Sequence, residues 1–237
     1  MFYSSVSPIR LISALWELWT QSYWRDEAFR ILMSRHSLLE IVQLTYGDGQ
    51  PPLYYFLLKL WMKIFSDGEM ISRAISVVMF EMLVFSVLYF SRRLKPRNGL
   101  FFASLMILTI FNPSLLYYAF EARMYVMFIF IVFLTNTFLF FKKYILWAFF
   151  TLIGLYTHNF MIFVFATNLL WLFWEKERVS KIKWATLAVI LLYLPWLGIF
   201  LHQATLIIGD FWVEKLSWQI ITGSPAAIYF GYDGSSL

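Results

Sequence analysis

Residues 144–174 read YILWAFFTLIGLYTHNFMIFVFATNLLWLFW, 31 consecutive positions without Asp, Glu, Lys or Arg. A helix crosses the hydrocarbon core of a bilayer with about 20 residues. The run is too long for one ideal span and too short for two. Either it is one long tilted helix with a buried polar patch, or two short helices meet at a turn. The polar triplet Thr157-His158-Asn159 near its middle favours the second arrangement.

The flanking sequence has the same character. Uncharged runs cover Asn98 to Phe120 (23 residues), Met124 to Phe141 (18) and Trp184 to Gly209 (26), and Ala74 to Ser91 (18) is broken only by Glu81. The whole chain of 237 residues is 61% hydrophobic and 14% charged, with mean hydropathy +0.68. Soluble domains carry about 25% charged residues, so a soluble fold is excluded, and so is a disordered chain. Aromatic residues at 22% suit long membrane interfaces. With no cysteine, disulfides and thiolate metal sites are excluded.

The net charge of +5 is first a topology signal. Ten of the 19 basic residues fall into three clusters: Arg92, Arg93, Lys95, Arg97; Lys142, Lys143; and Lys176, Arg178, Lys181, Lys183. Placing all three in the cytoplasm gives spans at about 70–91, 99–119, 124–141, 144–157, 159–174 and 184–203. A polytopic all-α membrane protein follows, set in the plasma (inner) membrane, with the lipid bilayer as its first partner. The region 23–69, the turns 121–123 and 157–159, and the chain after His202 then lie on the extracytoplasmic side. Residues 11–24 make a poor first span, because Glu17 interrupts it.

Two interfacial helices are expected in the first external loop. One covers about 27–45 and ends at Gly47-Asp48-Gly49-Gln50-Pro51-Pro52, since paired glycines and prolines break a helix. The other covers 51–66, opened by the two prolines, with Lys59 and Lys63 on one face.

Several polar groups gather on the external side. Asp26 and Glu27 are either a helix N-terminal cap or a general base with a supporting acid. Asp48 is a turn residue or, with Asp26, frames a site. In Glu121-Ala122-Arg123 the acid and base stand two apart, do not face each other on a helix, and are free to reach different partners. The loop is an interface anchor, or Arg123 holds an anionic group such as a phosphate. Glu81, inside a span, is expected to pair within the bundle or titrate neutral. His158 lies at an outer turn, where a lone histidine is more often structural. There is no Gly-rich phosphate loop and no dinucleotide fingerprint. A transferase with its acids outside the cell needs a membrane-embedded activated lipid as donor.

Four motifs in order then resemble a known family: Trp24-Arg25-Asp26-Glu27-Ala28-Phe29; Gln50-Pro51-Pro52-Leu53-Tyr54-Tyr55; Tyr117-Tyr118-Ala119-Phe120-Glu121-Ala122-Arg123-Met124-Tyr125; and Leu155-Tyr156-Thr157-His158. The chain from about Trp16 to Leu201 is similar to the bacterial protein-mannosyltransferase-like, aminoarabinose-transferase-like glycosyltransferases of the GT-C superfamily. The resemblance implies a module of about seven transmembrane helices with two juxtamembrane helices in the first external loop. It implies transfer of a sugar from a polyprenyl-phosphate donor, with inversion, to a hydroxyl or amine of an acceptor glycan, lipid or protein. It places Asp26 at the catalytic carboxylate, Glu27 at its neighbour, and Asp48 at the acid preceding a His-Pro-Pro motif whose histidine is Gln50 here. Glu121, Arg123, Tyr125 and His158 complete the expected substrate and donor-phosphate residues, with Arg25 or Arg30 assisting Arg123. A divalent cation (Mg or Mn) on Asp26 and Asp48, with Glu121, is one option, and some relatives use none. No nucleic-acid partner is expected.

Residues 1–209 form the expected catalytic module, and 210–237 an external tail that starts a missing C-terminal region. Two other classes compete: a non-catalytic fragment or scaffold of such an enzyme, and a lipid or sugar transporter using Glu81 and His158. The inverted repeats and broken midplane helices of transporters are not found in the sequence.

Overall fold

The computed structural model of the chain describes residues 19–93, 99–175, 179–209, 218 and 222. Most of the partial span expected at 11–24, and the tail expected at 210–237 apart from Trp218 and Thr222, lie outside the described residues. The described residues form helices joined by turns, with no strand among them.

Three short helices come first: α1 (Arg25–Arg35), α2 (Leu38–Thr45) and α3 (Leu53–Ile64). The single helix expected over 27–45 is therefore two. Its break falls at His36-Ser37, where Ser37 and Glu40 close a capping box: the Glu40 N–H donates to Ser37 Oγ (3.3 Å) and the Ser37 N–H to Glu40 Oε2 (2.8 Å). That reciprocal pairing satisfies two donors at a helix start. After the Gly-Pro loop, α3 begins behind Pro52, which stands at its N-cap.

The bundle follows: α4 (Glu69–Arg93), α5 (Gly99–Ile110), α6 (Pro113–Ala119), α7 (Tyr125–Phe140), α8 (Tyr144–Leu155), α9 (Met161–Trp174) and α10 (Val179–Gly209). The α4 helix and Ile182–Thr205 within α10 are long and apolar enough to cross a membrane. The α5 and α6 pair, expected as one span over 99–119, bends by 47°. Its break is written at Asn112-Pro113, where Asn112 Oδ1 accepts from the Leu115 N–H (2.9 Å) and proline takes the first helical position.

The uncharged run 144–174 is two helices, α8 and α9, joined by the turn 156–160. At 12 and 14 residues they are about 18 and 21 Å long, shorter than the expected spans 144–157 and 159–174 and than a hydrocarbon core of about 30 Å. The 16 residues of α7 give about 24 Å. The turn into α8 uses Lys142 at φ 56°, with Lys143 N donating to Phe138 O (2.8 Å) and Lys142 N to Leu139 O (2.9 Å), a helix end closed by a left-handed residue.

The bundle helices are apolar on nearly every side, which fits a lipid surround. Ile145, Phe173, Phe163, Leu170 and Leu100 are exposed, while Thr135, Thr151 and Asn168 are buried. One core joins α8, α9 and α10 through Trp147, Leu155, Met161, Phe165, Val189 and Trp196. A second joins α1, α3, α4 and α7 through Ile31, Tyr54, Leu58, Ile75, Met127 and Ile131. This second core seats α1 and α3 across one end of the bundle.

Inside α10, Pro195 cannot donate to the carbonyl of Leu191. The Tyr156 hydroxyl donates to the next carbonyl, Leu192 O, at 2.9 Å, and so ties the α8–α9 turn to this weak point.

The pairing within the bundle expected of Glu81 is not seen among the described residues. Glu81 lies on the exposed face of α4. Its position follows from helical phase, because Leu83 and Val87 turn into the bundle and Glu81 turns away.

Candidate functional site

The end of the bundle covered by α1 and α3 gathers the polar groups. Asp26 and Glu27 open α1, where negative charge favours the helix start. Neighbours on a helix point about 100° apart, and these two acids part company.

Glu27 faces inward and is fully buried. Its Oε1 accepts from Arg73 Nε (2.9 Å) and from the Ala122 N–H (2.8 Å). Its Oε2 accepts from Arg73 Nη2 (2.8 Å) and from the Trp24 N–H (3.1 Å). Burial alone would push this carboxyl up; the Arg73 guanidinium and the two backbone donors outweigh it and hold it below its ordinary value. Arg73 also donates to the carbonyls of Trp19 (3.0 Å) and Gln21 (2.7 Å). Glu27 thus locks α1, α4 and the 121–124 loop together.

Asp26 faces outward, with its side chain 56% exposed. Arg123 Nη2 meets its Oδ2 at 2.9 Å. The same guanidinium lies 3.0 Å, through Nε, from Oε2 of the fully buried Glu121. The expectation that Glu121 and Arg123 reach separate partners is corrected here. Residues 121–124 form a tight turn, with Arg123 N donating to Glu121 O at 2.8 Å, so positions two apart do meet. Burial pushes the Glu121 carboxyl above its ordinary value, against the opposing pull of Tyr117 and Arg123 beside it. The Tyr125 ring lies tilted against Tyr118, centroids 4.7 Å apart, and its centre stands 5.9 Å from the Arg123 guanidinium carbon.

Arg30, one turn along α1, is buried and donates from Nη1 to the Asp26 carbonyl (2.8 Å). Its Nε has no hydrogen-bond partner among the described residues. The Arg30 charge acts on Asp48, Tyr55, Glu121 and His158.

Asp48 accepts from the Tyr55 hydroxyl and from the Gly49 N–H (2.9 Å). Burial raises its carboxyl, and Tyr55 and Arg30 offset this only in part. His158 is buried against Phe128, and its Nδ1 accepts from the Phe160 N–H (3.1 Å). Burial, with the Arg30 charge second, pushes the imidazole down to about 4, so it is neutral at physiological pH.

Gln50 enters through its backbone: its carbonyl accepts from Gln203 Nε2 at 3.4 Å, and its side-chain Oε1 is buried without a partner among the described residues. Gln203 Nε2 also donates to Thr45 O (2.6 Å), while Asn159 Nδ2 donates to Gly49 O (2.8 Å) and to Gln203 Oε1 (3.0 Å).

The structure therefore joins Asp26, Arg123, Glu121 and Tyr125 by direct contact, ties Arg30 to the Asp26 backbone with its charge acting on Asp48 and His158, and buries Glu27. Asp26, Asp48 and Glu121 do not converge as ligands: among the described residues no group of three or more His, Cys, Asp or Glu is placed to hold a metal ion. Sequence reasoning missed Arg73, Tyr55 and Gln203. Arg73 carried a signal, since an arginine at the end of a span opposite its basic cluster needs an internal anion.

Chemically, the site offers an exposed carboxylate held in place by a cation, and a second buried cation with an idle donor beside it. Comparison with protein-family models, with curated proteins and with solved structures found no match to this chain.

Proposed function

We propose that the chain is the membrane module of an inverting glycosyltransferase that takes a sugar from a polyprenyl phosphate on the extracytoplasmic side. The observation that carries this reading is the pairing of the exposed Asp26 carboxylate with Arg123, beside the buried Arg30. General-base transfer needs a fixed carboxylate open to the acceptor, and departure of a phosphate needs cations close by.

In the proposed reaction the acceptor hydroxyl or amine gives its proton to Asp26. Its heteroatom bonds to the anomeric carbon from the face opposite the phosphate. The bond from that carbon to the phosphate oxygen breaks, and polyprenyl phosphate leaves with the electron pair. Arg123 and Arg30 offset the charge on the leaving group. Glu121 balances Arg123, and Glu27 holds α1 so that Asp26 faces outward.

The seven-span arrangement belongs to the same proposal. It rests on the basic clusters, with α7, α8 and α9 crossing a locally thinned bilayer sheltered by α4 and α10.

The test uses membranes carrying the full chain and a radiolabelled polyprenyl-phosphate sugar, with product counted after hydrolysis. Asp26→Asn is expected to lower transfer by roughly 10²–10⁴-fold with unchanged membrane insertion. Transfer by that variant at the wild-type rate overturns the assignment.

A further inference from the structure

A second polar feature lies at the opposite end of α4. Phe85, Leu88, Tyr89, Arg92 and Arg93 line a hollow of about 400 Å³ on one face of this helix. The other face packs into the bundle through Leu83, Val87 and Phe90, and Phe90 meets Phe133, Phe138 and Phe141. Among the described residues the hollow therefore opens to the surroundings. Phe85 and Tyr89 are 68% and 45% exposed, apolar area that no described helix covers.

Its two ends differ in chemistry. Phe85 and Leu88 make an apolar floor in the bilayer-facing part of α4. Arg93 is ordered at the rim, its Nη2 donating to the Tyr89 hydroxyl (2.7 Å) with the guanidinium carbon 5.1 Å from that ring. Arg92 is exposed, and no ion pair neutralises either arginine among the described residues. From Phe85 to Arg92 the helix rises about 10 Å, the span from the upper acyl chain of a phospholipid to its phosphate. A basic rim over an apolar groove at a helix end is the pattern that holds anionic headgroups.

We infer that this hollow binds one anionic phospholipid, its phosphate on Arg92 and Arg93 and its acyl chain along Phe85 and Tyr89. The site does not depend on the transferase reading, since it lies at the far end of α4 from Arg73 and Asp26. A free phosphate would use only the rim, and the apolar floor selects the lipid.

The full chain, purified in detergent and delipidated, is titrated with phosphatidylglycerol or phosphatidylcholine of the same acyl length and read by native mass spectrometry. Phosphatidylglycerol is expected to bind on the order of tenfold more tightly. The double substitution Arg92→Gln/Arg93→Gln removes that preference, and Arg92→Lys/Arg93→Lys keeps most of it, which separates loss of charge from loss of fold. Substituting Lys143→Gln and Lys183→Gln elsewhere leaves it intact. Equal binding of both lipids, or a preference untouched by the Arg→Gln pair, overturns the inference. So does displacement of the lipid by millimolar inorganic phosphate, which marks a bare anion site.

Discussion

Glu27 and Arg73, 46 positions apart in the chain, meet as a fully buried two-point ion pair, Oε1 to Nε at 2.9 Å and Oε2 to Nη2 at 2.8 Å. Neither charge has access to water, and each is satisfied by further backbone groups. The pair fixes α1 to α4, and through Ala122 it also fixes the loop that carries Arg123.

Removing one partner leaves the other charge buried alone, a change that typically costs about 3–5 kcal/mol. Glu27→Gln is therefore expected to lower the thermal midpoint of the detergent-solubilised protein sharply, and Glu27→Gln/Arg73→Met to recover much of the loss. Because the folded-state carboxyl lies below its ordinary 4.5, its stabilisation is complete above that pH and is lost as pH falls through the lowered value. A Glu27→Gln midpoint equal to wild type at pH 7 contradicts this account.

The neutral His158 gives a second pH signature. Its folded value of about 4 lies below the ordinary 6.5, so the unfolded chain binds the extra proton in that window. Stability falls as pH is lowered from about 6.5 toward 4, by on the order of 3 kcal/mol from this group. His158→Phe is expected to flatten that segment of the curve relative to wild type, read as thermal midpoint against pH. Parallel curves for the two proteins between pH 4 and 6.5 speak against a buried neutral imidazole.

Close packing at the α8–α9 turn supplies a third test. A Cβ added at Gly154 meets Met161 Sδ, Cγ and Cε at 2.7, 2.8 and 2.9 Å, so the methionine must move. Overpacking of this kind costs about 1–3 kcal/mol. Gly154→Ala is expected to destabilise, and Gly154→Ala/Met161→Ala to be less harmful than the sum of the single changes. Additive midpoints in that cycle rule out the contact as the cause.

Much of the helix layout was legible because polar residues punctuate it. Thr157-His158-Asn159 marks the turn between α8 and α9, and the Gly-Pro loop the gap before α3, whereas the break at Asn112-Pro113 lay hidden inside the single span expected over 99–119. Ser37 and Glu40 carry the signature of the break between α1 and α2, but the apolar residues on both sides hid it inside one longer helix. The site was legible as a set of residue types and not as a set of pairs. Whether Glu27 turns toward Arg73 or toward solvent depends on where α4 passes, and hydropathy carries no such information. The Glu121–Arg123 contact is invisible to helix spacing because residues 121–124 form a tight turn.

The Gln203 amide has one further meaning. Its nitrogen holds Thr45 and Gln50, its oxygen receives Asn159, and Asn159 holds Gly49. Three remote segments share this one node, and the loop around Asp48 cannot lift unless a buried amide is stripped of its partners, at about 1–3 kcal/mol for each orphaned group. The loop therefore behaves as a fixed wall and not as a flap. The position of that wall is set by α10, more than 150 residues further along the chain.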